Sequence, residues 1–123
     1  MAKASLYQHF GSKEDLGVAY VKTSREEWFK SLNLFLLKKK MTLDKLVGIF
    51  DFLEYNLTLC DYRGCRFINL LAEVADHKGM RDQIVEHKSN LRSTIKNYVK
   101  EIYQGEKDSF VTQISDSIYI YII

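Results

Sequence analysis

A chain of 123 residues with 46% hydrophobic and 28% charged residues has enough apolar material for one packed core and a solvated surface, which argues against disorder. Proline is absent, which favours long uninterrupted helices over strand-rich or loop-rich folds. The net charge of +2 is divided unevenly: residues 1–41 hold eight Lys/Arg against four Asp/Glu, and the remainder holds ten against twelve. A basic end on a mildly acidic body suits a polyanion partner, although the lysine run Lys38–Lys40 accounts for part of it as a solvated helix end.

In chain order, residues 3–9 predict a short helix with Leu6 and Phe10 inward and Lys3, Ser5, Tyr7, Gln8 and His9 on a polar outer face. Gly11 permits a sharp turn. Ser12 then caps a long helix, with Asp15 as a partial capping-box partner. Trp28, Leu32, Phe35 and Leu36 form its apolar stripe, at i, i+4, i+7 and i+8. A break at residues 38–41 precedes a second helix capped by Thr42, with Leu43, Leu46, Val47, Phe50, Leu53 and Leu57 on one face. Residues 61–64 form a turn. A third helix carries Ile68, Leu71, Ala72 and Ala75 and stops near Gly79. The fourth runs from Met80 to about Gln104, with Ile84, Leu91, Ile95, Tyr98 and Ile102 inward and Gly105 as a left-handed terminator. From Asp108 a last helix carries Val111, Ile114, Ile118 and Ile122, despite the β propensity of the closing Ile-Tyr-Ile-Tyr-Ile-Ile run. Gly17 and Gly48 fall inside helices, where each costs about 1 kcal/mol relative to alanine, and so mark close helix contacts.

No apolar run reaches the roughly 20 residues that cross a bilayer, and the start lacks the pattern of a signal peptide. The expected compartment is therefore the cytoplasm, with no membrane partner. Cys60 and Cys65 match no zinc or haem spacing and are expected to be ordinary thiols. His77 and His87, beside Asp76 and Glu86, are expected on the solvated surface rather than at a metal. There is no glycine-rich phosphate loop, nucleophile elbow or metal-ligand cluster, so no enzyme, catalytic residue or cofactor is expected.

The run Lys3-Ala4-Ser5-Leu6-Tyr7-Gln8-His9-Phe10-Gly11-Ser12-Lys13-Glu14-Asp15-Leu16 predicts a short polar-faced helix that turns at glycine into a capped long helix. That is the second half of a helix-turn-helix. The free N–H groups at the start of the long helix, beside the Lys13 ammonium, suit a phosphate. This run resembles the TetR (tetracycline-repressor) family, whose recognition helix ends in Leu-Tyr-x-His-Phe before a small turn residue and Ser-Lys-Glu-x-Leu. The resemblance implies an all-α bundle: residues 1–20 as a partial helix-turn-helix head, and residues 21–123 as a ligand-binding and dimerisation body, incomplete at its C-terminal end.

It further implies a transcriptional regulator, most simply a repressor, released from double-stranded operator DNA by a small-molecule effector and paired as a homodimer through its C-terminal helices. Lys3, Ser5 and Gln8 would reach base edges or nearby phosphates, and Tyr7, His9 and Lys13 the phosphate backbone. Gly64-Cys65-Arg66-Phe67-Ile68-Asn69-Leu70-Leu71-Ala72-Glu73 is similar to a pattern in part of the family. Asn69 and Glu73, four apart, are either polar anchors of the effector pocket or a structural bridge. Trp28, Phe50, Tyr55 and Phe67, with Phe29 and Phe52, either line that pocket or are plain core.

The family pattern begins before residue 1 and continues past residue 123. The isolated chain is therefore expected neither to bind an operator specifically nor to form the family's dimer, and its apolar tail to associate non-natively. The alternative reading is a helical ligand-binding or protein-interaction module without DNA binding.

Overall fold

The computed structural model describes residues 13–59, 66–74 and 76–122. The expected short helix at residues 3–9 and the turn at 61–64 lie outside them. The described residues form five α-helices and no strand: α1 (Lys13–Leu36), α2 (Thr42–Leu59), α3 (Arg66–Glu73), α4 (Lys78–Ile102) and α5 (Asp108–Ile122). The all-α expectation holds, and no helix among the described residues is long and apolar enough to cross a membrane. The last helix forms where local β propensity argues for a strand, because Val111 and Ser115 are buried against α4 and Ile114 and Ile118 pack on the same core. Tertiary packing overrides the weaker local preference.

α4 packs against all four other helices and is the axis of the bundle. Its buried stripe Ile84, His87, Leu91, Ile95 and Val99 steps by three and four, one apolar face of a 3.6-residue period. Around it, Leu32 and Leu36 from α1, Leu46, Ile49 and Phe52 from α2 and Val111 from α5 close the main core. A smaller cluster of Val21, Phe67 and Ile84 sits at the α1–α3–α4 junction.

Three boundaries and one face differ from expectation. α3 ends at Glu73 and α4 starts at Lys78, so the break lies before Gly79 rather than at it. Gly79 sits in the first turn of α4, where a Cβ would come within 2.9 Å of Val18 Cγ2 on α1. Its missing side chain serves helix contact, not helix termination. α4 stops at Ile102, two residues short of Gln104, with Gly105 beyond it at φ +87° as expected. On α2, Leu43 and Val47 are 56% and 52% exposed, while Ile49 and Phe52 take the inner face.

The turn of that face follows from Gly48. A Cβ there would stand 2.7 Å from Leu36 Cδ2, so the bare glycine backbone is what α1 packs upon. Gly48→Val is expected to destabilise the fold by about 2 kcal/mol through overpacking, even though valine forms helix better than glycine. Urea denaturation measures it; an unchanged midpoint would mean that Leu36 has room to swing aside.

Polar links tie the helix ends. Thr42 Oγ1 donates to Glu101 Oε1 at 2.7 Å, joining the start of α2 to the end of α4. Burial pushes the Tyr98 hydroxyl above its ordinary pKa, and the nearby Glu101 carboxylate adds to this. Arg92 on α4 grips Asp116 on α5 with two hydrogen bonds of 2.8 Å. Those bonds hold the Asp116 carboxyl below its ordinary value of 3.8 and raise the Arg92 guanidinium.

A carboxylate with a depressed folded pKa contributes stability that is complete above its unfolded value and is lost as pH falls through the folded one. Asp116→Asn should therefore flatten the fall in melting temperature below about pH 4 and leave the slope at neutral pH unchanged. A thermal melt series across that range reads it, and parallel slopes for both proteins would show that the pair does not couple to folding.

Candidate nucleic-acid interface and interior ligand site

Of the residues expected at DNA, Lys3, Ser5, Tyr7, Gln8 and His9 lie outside the described residues, as do Leu6 and Phe10. Lys13 is the first residue of α1 and is exposed. Glu14 and Asp15 stand beside it in the first turn, where carboxylates complement the positive end of the helix dipole. Lys13 thus sits at a helix N-terminus of mixed charge. His77, just before α4, approaches Glu14 Oε1 through Nδ1 at 3.2 Å and draws the starts of α1 and α4 together. Both side chains are largely in solvent, so the pair adds little stability.

Beneath that pair lies a groove of about 590 Å³, lined by Leu16, Gly17, Tyr20, Val74 and Met80 with Lys13, Glu14 and His77 at its edge. Gly17 shapes it: a Cβ there would come within 2.5 Å of Met80 Sδ. The close contact read from Gly17 is therefore present, with α4 as the partner.

The interior is aromatic. Trp28 meets Phe52 edge-on at 5.3 Å between ring centres, Phe29 at 5.0 Å and His87 at 4.8 Å. Phe67 stacks on the His87 imidazole at 3.9 Å, and Phe29 lies 5.1 Å from it. Four helices converge on this cluster: α1 through Trp28 and Phe29, α2 through Phe52, α3 through Phe67 and α4 through His87. Aromatic pairs in such offset and edge-on arrangements are worth about 0.5–1.5 kcal/mol beyond the area they bury.

The expectation for His87 is corrected here. It is 1% exposed and belongs to the core, not to the solvated surface. Its neighbour Glu86 suggested a polar face, but position decides: His87 falls three after Ile84 and four before Leu91, on the inward stripe. That spacing was the available signal. His77 is exposed as expected, and no group of three or more potential metal ligands occurs among the described residues.

The residues expected at an effector divide. Trp28 and Phe67 belong to the interior cluster. Phe50 and Tyr55 are 39% and 55% exposed on the outer side of α2. Asn69 is exposed, and the Glu73 side chain lies outside the described residues. Sequence reasoning missed Arg25. Its side chain is only 11% exposed, its Nη1 donates to Gln83 Oε1, and Glu86 Oε2 lies 3.4 Å away. No local signal marked it, since Glu26 and Glu27 beside it are charged and exposed.

No protein-family model, curated protein or solved structure matches the chain.

Proposed function

We propose that the chain is part of a TetR-type transcriptional regulator that binds DNA through the segment around residues 3–13 and a small effector within its helical body. The observation that carries the reading is the sequence run from Lys3 to Leu16, whose described part opens helix α1 at Lys13. Two further features support it. α1 is 24 residues long, which at 1.5 Å per residue spans about 36 Å from head to core. The body also gathers four helices around an aromatic centre, the setting in which apolar ligands are held.

Regulation then follows from linkage. An effector lowers operator affinity only by binding the DNA-incompetent conformation more tightly. α1 carries Trp28 and Phe29 at the aromatic centre and Lys13 at the head, so it is the element that both ligands bias. In a homodimer the two heads must match successive major grooves about 34 Å apart, and a small tilt of α1 changes that spacing. The dimer would form through α5 and the helices that follow in the family pattern.

The test is fluorescence anisotropy on a protein with a complete helix-turn-helix placed ahead of residue 3. Lys13→Ala should weaken binding to every duplex and reduce the slope of log affinity against log salt by about one. Gln8→Ala should cost about 1–3 kcal/mol at the preferred site and relax specificity there. Affinity and salt slope unchanged by Lys13→Ala would remove the phosphate assignment. Equal binding of all duplexes by the parent and Gln8→Ala would leave a helical module without operator recognition.

A further inference from the structure

Two buried donors at one level of the bundle point to the chemistry of the effector. α1 and α2 run antiparallel, since Trp28 meets Phe52 and Leu36 lies against Gly48. One helical turn beyond Phe52, Asn56 is therefore carried to the level of Arg25, one turn before Trp28 and Phe29. On α4 that level is marked by Gln83, which accepts from Arg25.

Arg25 Nε and Asn56 Nδ2 are both buried, and neither meets an acceptor among the described residues. An unmet buried donor carries its full desolvation cost, and a charged one carries more. Buried donors are satisfied in the great majority of native structures, so two in one layer call for acceptors from elsewhere. One helical turn away along each helix, Trp28 and Phe52 meet edge-on. A few convergent donors beside aromatic walls are what a small-molecule site presents.

We propose that this layer is the polar subsite of the effector and that the effector is an organic carboxylic acid with an apolar body. Its carboxylate takes the N–H of Arg25 Nε and the amide N–H of Asn56, and its apolar body lies along Trp28 and Phe52. The charge balance selects a monoanion. One edge of the guanidinium is held by Gln83, and Glu86 Oε2 pairs with the same Nη1 at 3.4 Å from a side chain 58% exposed, so this screened ion pair offsets only part of the charge and leaves room for one anion, not two. One cationic and one neutral donor match the two oxygens of a carboxylate, whereas a phosphate dianion would leave charge and acceptors unmet. The inference rests on reading the body as an effector domain.

Trp28 is the only tryptophan in the chain and lies one turn from Arg25, so its emission reports on the layer directly. Phenylacetate and its neutral analogue 2-phenylethanol are titrated separately into the full chain, with no DNA present. The expected result is a saturable change in Trp28 emission with phenylacetate, at an affinity about tenfold or more above that for 2-phenylethanol. Arg25→Met should erase that preference, and Asn56→Leu should weaken phenylacetate about tenfold.

Thermal melts of both variants show whether they fold, and Arg25→Lys, which keeps the charge but loses the Nε–H, should retain part of the preference. A preference that survives Arg25→Met overturns the proposal. So does an emission unchanged by phenylacetate while Arg25→Met and Asn56→Leu melt lower, because the donors then serve the chain's own carbonyls. Either failure leaves the operator reading untouched, since that is decided by anisotropy on duplex DNA.

Discussion

Ile95→Ala should lower the unfolding free energy by about 2–5 kcal/mol, a large part of the 5–15 kcal/mol that holds a domain of this size together. Ile95 is fully buried on α4, in the cluster shared with α1, α2 and α5. Truncation removes three carbons from that cluster, and the loss has two parts: the transfer of the missing surface and the void left behind. Helices that converge from three sides on one side chain cannot all close on the gap, which places the cost toward the upper part of the range.

Leu43→Ala is the control, because the side chain is 56% exposed at the start of α2 and its loss should stay within about 0.5 kcal/mol. Urea titrations followed by far-UV circular dichroism give both numbers, provided the slopes with denaturant agree. Equal effects of the two substitutions would mean that the inner face of α2 and the centre of α4 are wrongly placed. A loss below 1 kcal/mol for Ile95→Ala alone would mean a core loose enough to repack.

That pair of variants also marks where the sequence was legible. On α4 Ile84, Leu91 and Ile95 mark one face, so most of the inward stripe could be read directly, whereas His87 and Val99 on the same face were missed. On α2 the apolar residues Leu43, Leu46, Val47, Ile49, Phe50, Phe52 and Leu53 cover more than half the circumference. Periodicity cannot choose among overlapping faces there. The choice is made by Gly48, whose bare backbone admits Leu36, and that partner is on another helix.

The same limit explains the interior site. Trp28 and Phe67 could be named as aromatics near one another in a helical body, whereas Phe50 and Tyr55 have the same chemistry and the wrong side of α2. Arg25 is a charged residue in a run of charged residues, and nothing local distinguishes it from Glu26 or Glu27, which stay exposed. Its burial arises from Gln83 on α4, 58 positions away. The segment proposed to meet DNA is the reverse case, and its residues 3–12 lie outside the described ones. It was read from the order and spacing of a dozen adjacent residues, which is local information, and needed no tertiary contact.

Replacing Ile120 and Tyr121 together by lysine should suppress self-association of the chain by about 100-fold or more. Both side chains stand out from the end of α5, at 70% and 86% exposure, and Phe110 adds a third apolar group at its start at 38%. No charged residue follows Asp116, so nothing in the chain's closing residues opposes contact between two such faces. Burying a large apolar side chain in an interface is worth about 1.5–3 kcal/mol, and losing two of them amounts to about two factors of ten or more in the association constant.

Lysine is the informative replacement. Two cations in the last turn of α5 are favourable to the helix dipole, so the helix should persist while the face becomes charged. Glutamate at the same positions would confuse loss of contact with loss of helix. Sedimentation equilibrium over a hundredfold range of concentration measures the association, and melting curves confirm that the double variant remains folded. If parent and variant show the same concentration dependence, α5 is not the association face, and the homodimer proposed through the C-terminal helices loses its support in this chain.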